Sequence, residues 1–230
     1  AGADGTLPPP LTDEAPDSYT PPPVCGDHIA VFRNEQACFY ALISDGMGSG
    51  EAASAASELC AAFLERMLSA GSHVEISVRM LNSFLCARGN GSDDECSVTV
   101  DLMELDTACG HAVFAKNGAA PTYVILHDSA PQFLRFRMHP GDVVVMVSDG
   151  VTLGNDECPW LLDLLSAPLP DSMDSLRLDI LRRAMASGSP DDLSAIAIRL
   201  EEPRDAQEAV SYTHLRAPET VLDLVCRLLL

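Results

Sequence analysis

The chain has 230 residues, 47% hydrophobic and 21% charged, which indicates one globular domain with a sizeable core. Fourteen Lys and Arg residues against 34 Asp and Glu residues give a formal net charge of −20, which argues against nucleic acid or anionic membranes as partners. The eight cysteines contain no C-x-x-C pair, so the usual zinc spacing is excluded and a reducing compartment, the cytoplasm, is expected. No apolar run is long enough to span a bilayer, and we expect no membrane contact for this fragment.

Composition divides the chain into three parts. Residues 1–23 are rich in proline and are predicted to be an extended linker. Residues 24–202 have the patterning of a folded domain, and 203–230 form a tail that does not continue it. Within this tail, Val210–Thr220 is similar to a translated sequencing adapter, so we expect 210–230 to be non-biological. The alternative is a short amphipathic helix over 220–230.

Hydrophobic periodicity predicts mixed strands and helices. Strands are expected over 28–33 and 37–44, followed by a glycine-rich turn at 45–50 and helices over 51–70 and about 72–88. Further elements are strands over 97–105, 110–116, 121–126, 132–138 and 142–148, helices over about 158–166 and 173–187, and a last strand over 193–200. Helices that come in pairs between runs of strands indicate an α+β fold with helices outside sheets, and not a doubly wound βαβ fold.

Acidic residues lie where predicted strands begin or end. Asp27 precedes the first strand, Asp45 and Asp149 each follow an apolar strand within a Ser-Asp-Gly sequence, and Asp191-Asp192 precede the last strand. Carboxylate and carbonyl oxygens are the ligands that Mg²⁺ and Mn²⁺ prefer. Two such ions about 4 Å apart can clamp a phosphoryl group. A single Ser-Asp-Gly is usually only a turn, but the repeat predicts a metal centre.

The stretch Ser44-Asp45-Gly46-Met47-Gly48-Ser49-Gly50, followed by Glu51-Ala52-Ala53, resembles the signature of the stage II sporulation protein E family of phosphatases. Other stretches resemble the family in the same order: residues 25–27, 80–83, 96–105, 116–121, 141–150 and 191–194. The similarity extends over about residues 24–202.

The resemblance implies a PP2C-like αββα sandwich, with two antiparallel sheets flanked by helices and two divalent ions, Mn²⁺ or Mg²⁺, at one edge. It implies that Asp45 bridges both ions, that Gly46 offers its backbone carbonyl to one, and that Asp149 and Asp191 bind the other. Asp192 is the alternative to Asp191. Asp27 is expected to hold a metal-bound water, and attack by such a water is the implied mechanism. Catalysis is thus assigned to Asp45 and Asp27.

The implied partner is a serine-phosphorylated anti-sigma-factor antagonist, in sporulation sigma-factor control. The resemblance also implies membrane-spanning and regulatory regions ahead of the phosphatase, where this fragment is expected to have only the proline-rich linker. A second departure is the short segment between Pro121 and Gly141, where the family usually has a longer stretch. This departure motivates an alternative, a catalytically inactive scaffold that binds the phosphorylated partner. A nucleotide-binding loop at 46–50 is disfavoured because Glu51 follows Gly50 where a phosphate-binding loop would have lysine.

Overall fold

The computed structural model of the chain describes residues 24–48, 50–89, 97–126, 136–155 and 158–202. The predicted linker (1–23) and tail (203–230) lie outside the described residues. Within the described part, no helix is both long and apolar enough to cross a membrane.

Thirteen elements are described, and most differ from the sequence-based boundaries by one or two residues at each end. In chain order they are β1 (Asp27–Arg33), β2 (Cys38–Gly46), α1 (Glu51–Ser69), α2 (Val74–Gly89), β3 (Val98–Asp106), β4 (His111–Asn117), β5 (Tyr123–Ile125), β6 (Phe136–Arg137), β7 (Val143–Val147), α3 (Asp149–Thr152), α4 (Pro159–Ser166), α5 (Met173–Ala186) and β8 (Ala195–Arg199). The sequence did not predict the short helix α3. Residues 132–135 of the predicted strand 132–138 lie outside the described residues, and β6 falls within its described end.

The described strands form two antiparallel sheets. The first has the order β1-β2-β3-β4-β6 and the second has the order β5-β7-β8. β2 is buried on both faces, and its alternate residues enter two different cores. Phe39, Ala41 and Ile43 pack in the core that also contains the second sheet, whereas Tyr40 and Leu42 pack in the core beneath α1 and α2.

Helices cover the outer face of each sheet. On α1, Leu64 and Leu68 are fully buried against the first sheet. On the opposite side, Leu161 of α4 and Ile180 of α5 pack in the core that contains β7 and β8. The predicted α+β fold, an αββα sandwich, is thereby confirmed.

The packing of α1 can be tested with Leu64→Ala. The Leu64 side chain is 0% exposed, so its truncation removes buried apolar area and leaves a cavity. We expect the free energy of unfolding to fall by about 2–5 kcal/mol in chemical denaturation. Glu65→Ala, at the exposed neighbouring position, is the control and should change stability by no more than about 0.5 kcal/mol. Equal losses in the two variants would contradict the described burial of α1.

Candidate metal centre

Two predicted site residues face each other across neighbouring strands. In the antiparallel pairing of β1 with β2, Asp27 lies directly opposite Asp45. Residues opposite each other in such a pair project to the same face of the sheet, with Cβ atoms about 5 Å apart. The Gly46 N–H donates to the Gly26 carbonyl oxygen at 3.2 Å and keeps the strand ends together just beyond this pair.

The second sheet supplies the other acidic residues. Asp149 begins α3 and is separated from β7 by Ser148 alone, and Asp191 and Asp192 come shortly before β8, the neighbour of β7. Ser148 and Ser194 join these two places: the Ser148 N–H donates to the Ser194 carbonyl oxygen and the Ser194 N–H donates to Ser148 Oγ, both at 2.9 Å. Asp149 and the acidic pair are thus held at one edge of the sheet.

Close backbone approaches explain two of the glycines at this edge. A Cβ atom at Gly46 would lie 2.1 Å from the carbonyl oxygen of Ala53 in α1. A Cβ atom at Gly150 would lie 2.0 Å from the carbonyl oxygen of Asp192. A side chain at either position would therefore push α1 or the acidic pair away from the site.

The two sheets contribute to one pocket. Asp45 from the first sheet and Asp149 from the end of the second both line it. The remaining lining residues are Ile43, Thr99, Asp101, Gly118, Ala119, Ala120, Val147 and Ser148. A direct bond also joins the sheets here, because the Gly26 N–H donates to Asp192 Oδ2 at 2.6 Å.

Negative charge accumulates around Asp45. Burial, followed by the charges of Asp27, Asp149 and Asp191, raises the pKa of Asp45 to about 7. Burial also raises the pKa of Asp27, although hydrogen bonding from Ser194 and Ser148 opposes the shift. Two carboxylates forced together in a partly buried site favour either a shared proton or a bound cation.

The residues present fit a hydrated hard cation. Among the described residues, no three His, Cys, Asp or Glu side chains converge closely enough to hold an ion by themselves. Mg²⁺ commonly keeps several waters and is held by only one or two carboxylates, so such convergence is not required. Asp27 Oδ2 is buried and has no hydrogen-bond partner among the described residues, so it can accept a hydrogen bond from water.

The structure therefore brings Asp27, Asp45, Gly46, Asp149 and Asp191 to one edge of the sandwich. Asp192 lies beside them, but its carboxylate is engaged with Gly26. Sequence reasoning missed the pocket residues Asp101 and Ser148, and the neighbouring Ser194. The sequence does contain a signal for Asp101, because an acidic residue interrupts the apolar, alternating stretch 97–105. Its side chain projects to the same face of the strand as those of Thr99 and Met103.

A scan against family models matches residues 35–135 to the family described as Stage II sporulation protein E (SpoIIE). The matched range contains Asp45 and Gly46. A curated protein named Stage II sporulation protein E, from Bacillus subtilis (strain 168), is 24% identical over 202 residues. That match covers 77% of this chain and 24% of the relative, so the chain spans about a quarter of its relative's length.

Solved structures of PP2C-like phosphatases share the fold of this chain. The PP2C phosphatase domain of stage II sporulation protein E from Bacillus subtilis, solved with a fragment of the regulatory domain, matches with a TM-score of 0.65 and 23% identity. The match covers 76% of this chain and 58% of that one. RsbX in complex with magnesium matches with a TM-score of 0.54 and 16% identity, covering 75% of this chain and 85% of that one. The chain is thus similar over residues 35–135 to the stage II sporulation protein E family, and it has the fold of a PP2C-like phosphatase domain.

Proposed function

We propose that this domain is a metal-dependent serine/threonine protein phosphatase. One observation carries the proposal: Asp45 lies opposite Asp27 and shares a pocket with Asp149, where burial and neighbouring carboxylates raise its pKa to about 7. Such a concentration of negative charge on rigid strand ends disfavours binding of a bare anion and favours binding of divalent cations.

The acidic edge offers separate donors for two cations, Mn²⁺ or Mg²⁺. Asp45 is central and would serve both, Gly46 would add its backbone carbonyl to one, and Asp149 and Asp191 would hold the other. When bound, the cations supply Lewis acidity that activates water and positive charge that neutralises the phosphoryl oxygens. Magnesium is present in the complex of the structural relative RsbX, which supports this chemistry for the fold.

The chain's own residues would orient the attacking water. Asp27 is buried opposite Asp45, and its Oδ2 atom has no hydrogen-bond partner among the described residues. It can therefore accept a hydrogen bond from a water located between the two carboxylates. The hydroxyl groups of Ser194 and Ser148 interact with Asp27 and restrict its orientation. Because water can act as the nucleophile, no serine or cysteine nucleophile is needed.

Two contacts favour Asp191 over Asp192 as the ligand. Asp191 acts electrostatically on Asp45, and its Oδ1 atom accepts a hydrogen bond from the adjacent Asp192 N–H, whereas the carboxylate of Asp192 accepts the N–H of the distant Gly26. Asp192 would therefore connect the start of β1 to the second sheet, and Asp191 would remain available to a cation.

The substrate that the family resemblance favours is a serine-phosphorylated anti-sigma-factor antagonist, dephosphorylated in sporulation sigma-factor control. The name of the relative, Stage II sporulation protein E, supports a sporulation role. The alternative is a catalytically inactive scaffold that binds the phosphorylated partner, and the short segment between Pro121 and Gly141 is the observation that favours it.

Phosphate release tests the proposal directly. Residues 24–209 are incubated with a serine-phosphorylated antagonist protein and Mn²⁺, and parallel reactions contain EDTA or the Asp149→Asn variant. We expect release with Mn²⁺, none with EDTA, and a fall of at least about 100-fold in the variant, since charge stabilisation at the reacting group is lost. A folded, Mn²⁺-binding protein that releases no phosphate, yet retains the phosphoprotein in a pull-down, would support the scaffold instead.

The ligand assignment is tested by comparing Asp191→Asn with Asp192→Ala. We expect Asp191→Asn to weaken Mn²⁺ binding in calorimetry by about tenfold or more, with little change in thermal midpoint. Asp192→Ala should mainly lower the thermal midpoint, because the Gly26 N–H loses its acceptor. The reverse pattern would identify Asp192 as the ligand.

The charge cluster predicts a pH dependence for the metal-free protein. The pKa of Asp45 in the folded protein, about 7, lies above its ordinary value of 3.8. The folded state therefore gains stability from the protonated form at low pH and loses that contribution as pH rises from about 4 through 7. In EDTA, the thermal midpoint of the wild type should fall between pH 5 and pH 8 relative to that of Asp45→Asn. Parallel pH profiles for the two proteins would contradict the raised pKa.

A further inference from the structure

An ion pair with a buried carboxylate and a partly exposed lysine lies beside the pocket. Lys116 Nζ is 2.6 Å from Asp101 Oδ2, and it donates at the same distance to the Ala120 carbonyl oxygen and to Thr122 Oγ1. Thr122 Oγ1 in turn donates to Asp101 Oδ2 at 2.5 Å. An ammonium group has three N–H bonds, and these three acceptors account for all of them.

The pair lies next to the candidate metal centre. Thr99 of β3 lies directly opposite Asp45 of β2. Asp101 is two residues further along β3, on the same face as Thr99, and lies directly opposite Lys116 of β4. Asp101 is 1% exposed and lines the pocket, and its Oδ1 atom has no hydrogen-bond partner among the described residues. Lys116, whose side chain is 31% exposed, is not among the residues that line the pocket.

The contacts of Lys116 hold one wall of this pocket. The wall consists of Gly118, Ala119 and Ala120, which all line the pocket. Gly118 forms a β-bridge with Val100 of β3, and the Ala120 carbonyl is bound by Lys116. Both ends of the wall are thus attached to β3, one through the backbone and the other through the ion pair.

Stability alone does not explain a pair of this kind. A buried ion pair is often no more stabilising than well-packed apolar residues of similar volume, because both charges must be desolvated. Buried polar groups do, however, fix the relative position of the segments they join. Lys116 is also the single lysine among 230 residues, and its ammonium group contacts Asp101, Ala120 and Thr122 within the domain.

We propose that Lys116 and Asp101 form a positioning pair that holds the Gly118–Ala120 wall in place, and that this wall orients the phosphorylated segment of the protein substrate towards Asp45 and Asp149. The proposal rests on the phosphatase function proposed above. Lys116 does not itself contact the phosphoryl group, because its N–H bonds are engaged with Asp101, Ala120 and Thr122.

The test replaces the polar cluster by apolar residues of similar size. Lys116→Met alone leaves Asp101 as an unpaired buried charge, and the thermal midpoint should fall. The triple variant Asp101→Leu/Lys116→Met/Thr122→Val removes all three polar side chains and should recover most of this loss. If the pair positions the wall, the triple variant still exchanges the amide hydrogens of residues 117–121 at least about tenfold faster than wild type.

Kinetics then separate positioning from a general structural role. With a serine-phosphorylated protein substrate and Mn²⁺, we expect the triple variant to raise KM by about fivefold or more. With p-nitrophenyl phosphate, which has no peptide segment to orient, KM should rise by a smaller factor than with the protein substrate. The conservative variant Asp101→Asn keeps an oxygen that can accept from Lys116, and it should retain the wild-type exchange rate.

A matched control is available on α5, where Asp179 and Arg182 form an exposed ion pair. Asp179→Leu/Arg182→Met should alter neither KM nor exchange at 117–121.

Wild-type exchange in the triple variant would overturn the positioning role, and faster exchange with unchanged KM would overturn the role in substrate orientation. If wild type hydrolyses neither substrate, the phosphatase proposal fails, and the exchange comparison still decides whether the pair holds the wall. If the triple variant does not fold, Thr122→Val alone should show smaller changes in the same directions, and wild-type values would overturn the proposal.

Discussion

The position of Asp27 directly opposite Asp45 is the constraint on which the rest of the site depends. The register of β1 on β2 brings two carboxylates to one face of the sheet, and a shift of one residue would turn one of them to the helix-covered side. Burial and like charges then raise the pKa of Asp45 to about 7. The fold maintains this unfavourable arrangement by packing Gly46 closely against the backbone of Ala53 in α1, so the helix layer contributes directly to the site.

The site is also where the two sheets are joined. The Gly26–Asp192 hydrogen bond connects residues 166 positions apart in the chain, and Ser148 and Ser194 hold the end of β7 against the start of β8. Misalignment of the sheets would therefore separate Asp45 from Asp149 while leaving each sheet intact. This organisation explains why the candidate donors come from both ends of the domain. The family-model match over 35–135 includes Asp45 and Gly46 but neither Asp149 nor Asp191.

Local signals in the sequence were sufficient for most of the architecture. The apolar strand 37–44 and the alanine-rich helix 51–70 were predicted because periodicity reports which faces are buried. The aspartates were identified as candidates because strand ends are recognisable and the Ser-Asp-Gly sequence occurs twice. The bond from Gly26 to Asp192 and the pairing of Asp101 with Lys116 were not predicted, because both depend on register and on how the sheets meet. Neither property is encoded within a single segment.

The charges along the pocket give a physical reason for the proposed metal dependence. Among the described residues that line it, none is Lys, Arg or His, whereas Asp45, Asp101 and Asp149 are acidic. The single lysine of the chain, Lys116, is engaged with Asp101, Thr122 and a backbone carbonyl. A phosphoryl dianion entering this pocket would therefore meet carboxylates without a compensating side-chain cation. Under the proposed function, cations bound from solution by Asp45 and Asp149 would reverse that repulsion. These two carboxylates would then repel the substrate in the metal-free protein and make its binding possible once cations are present.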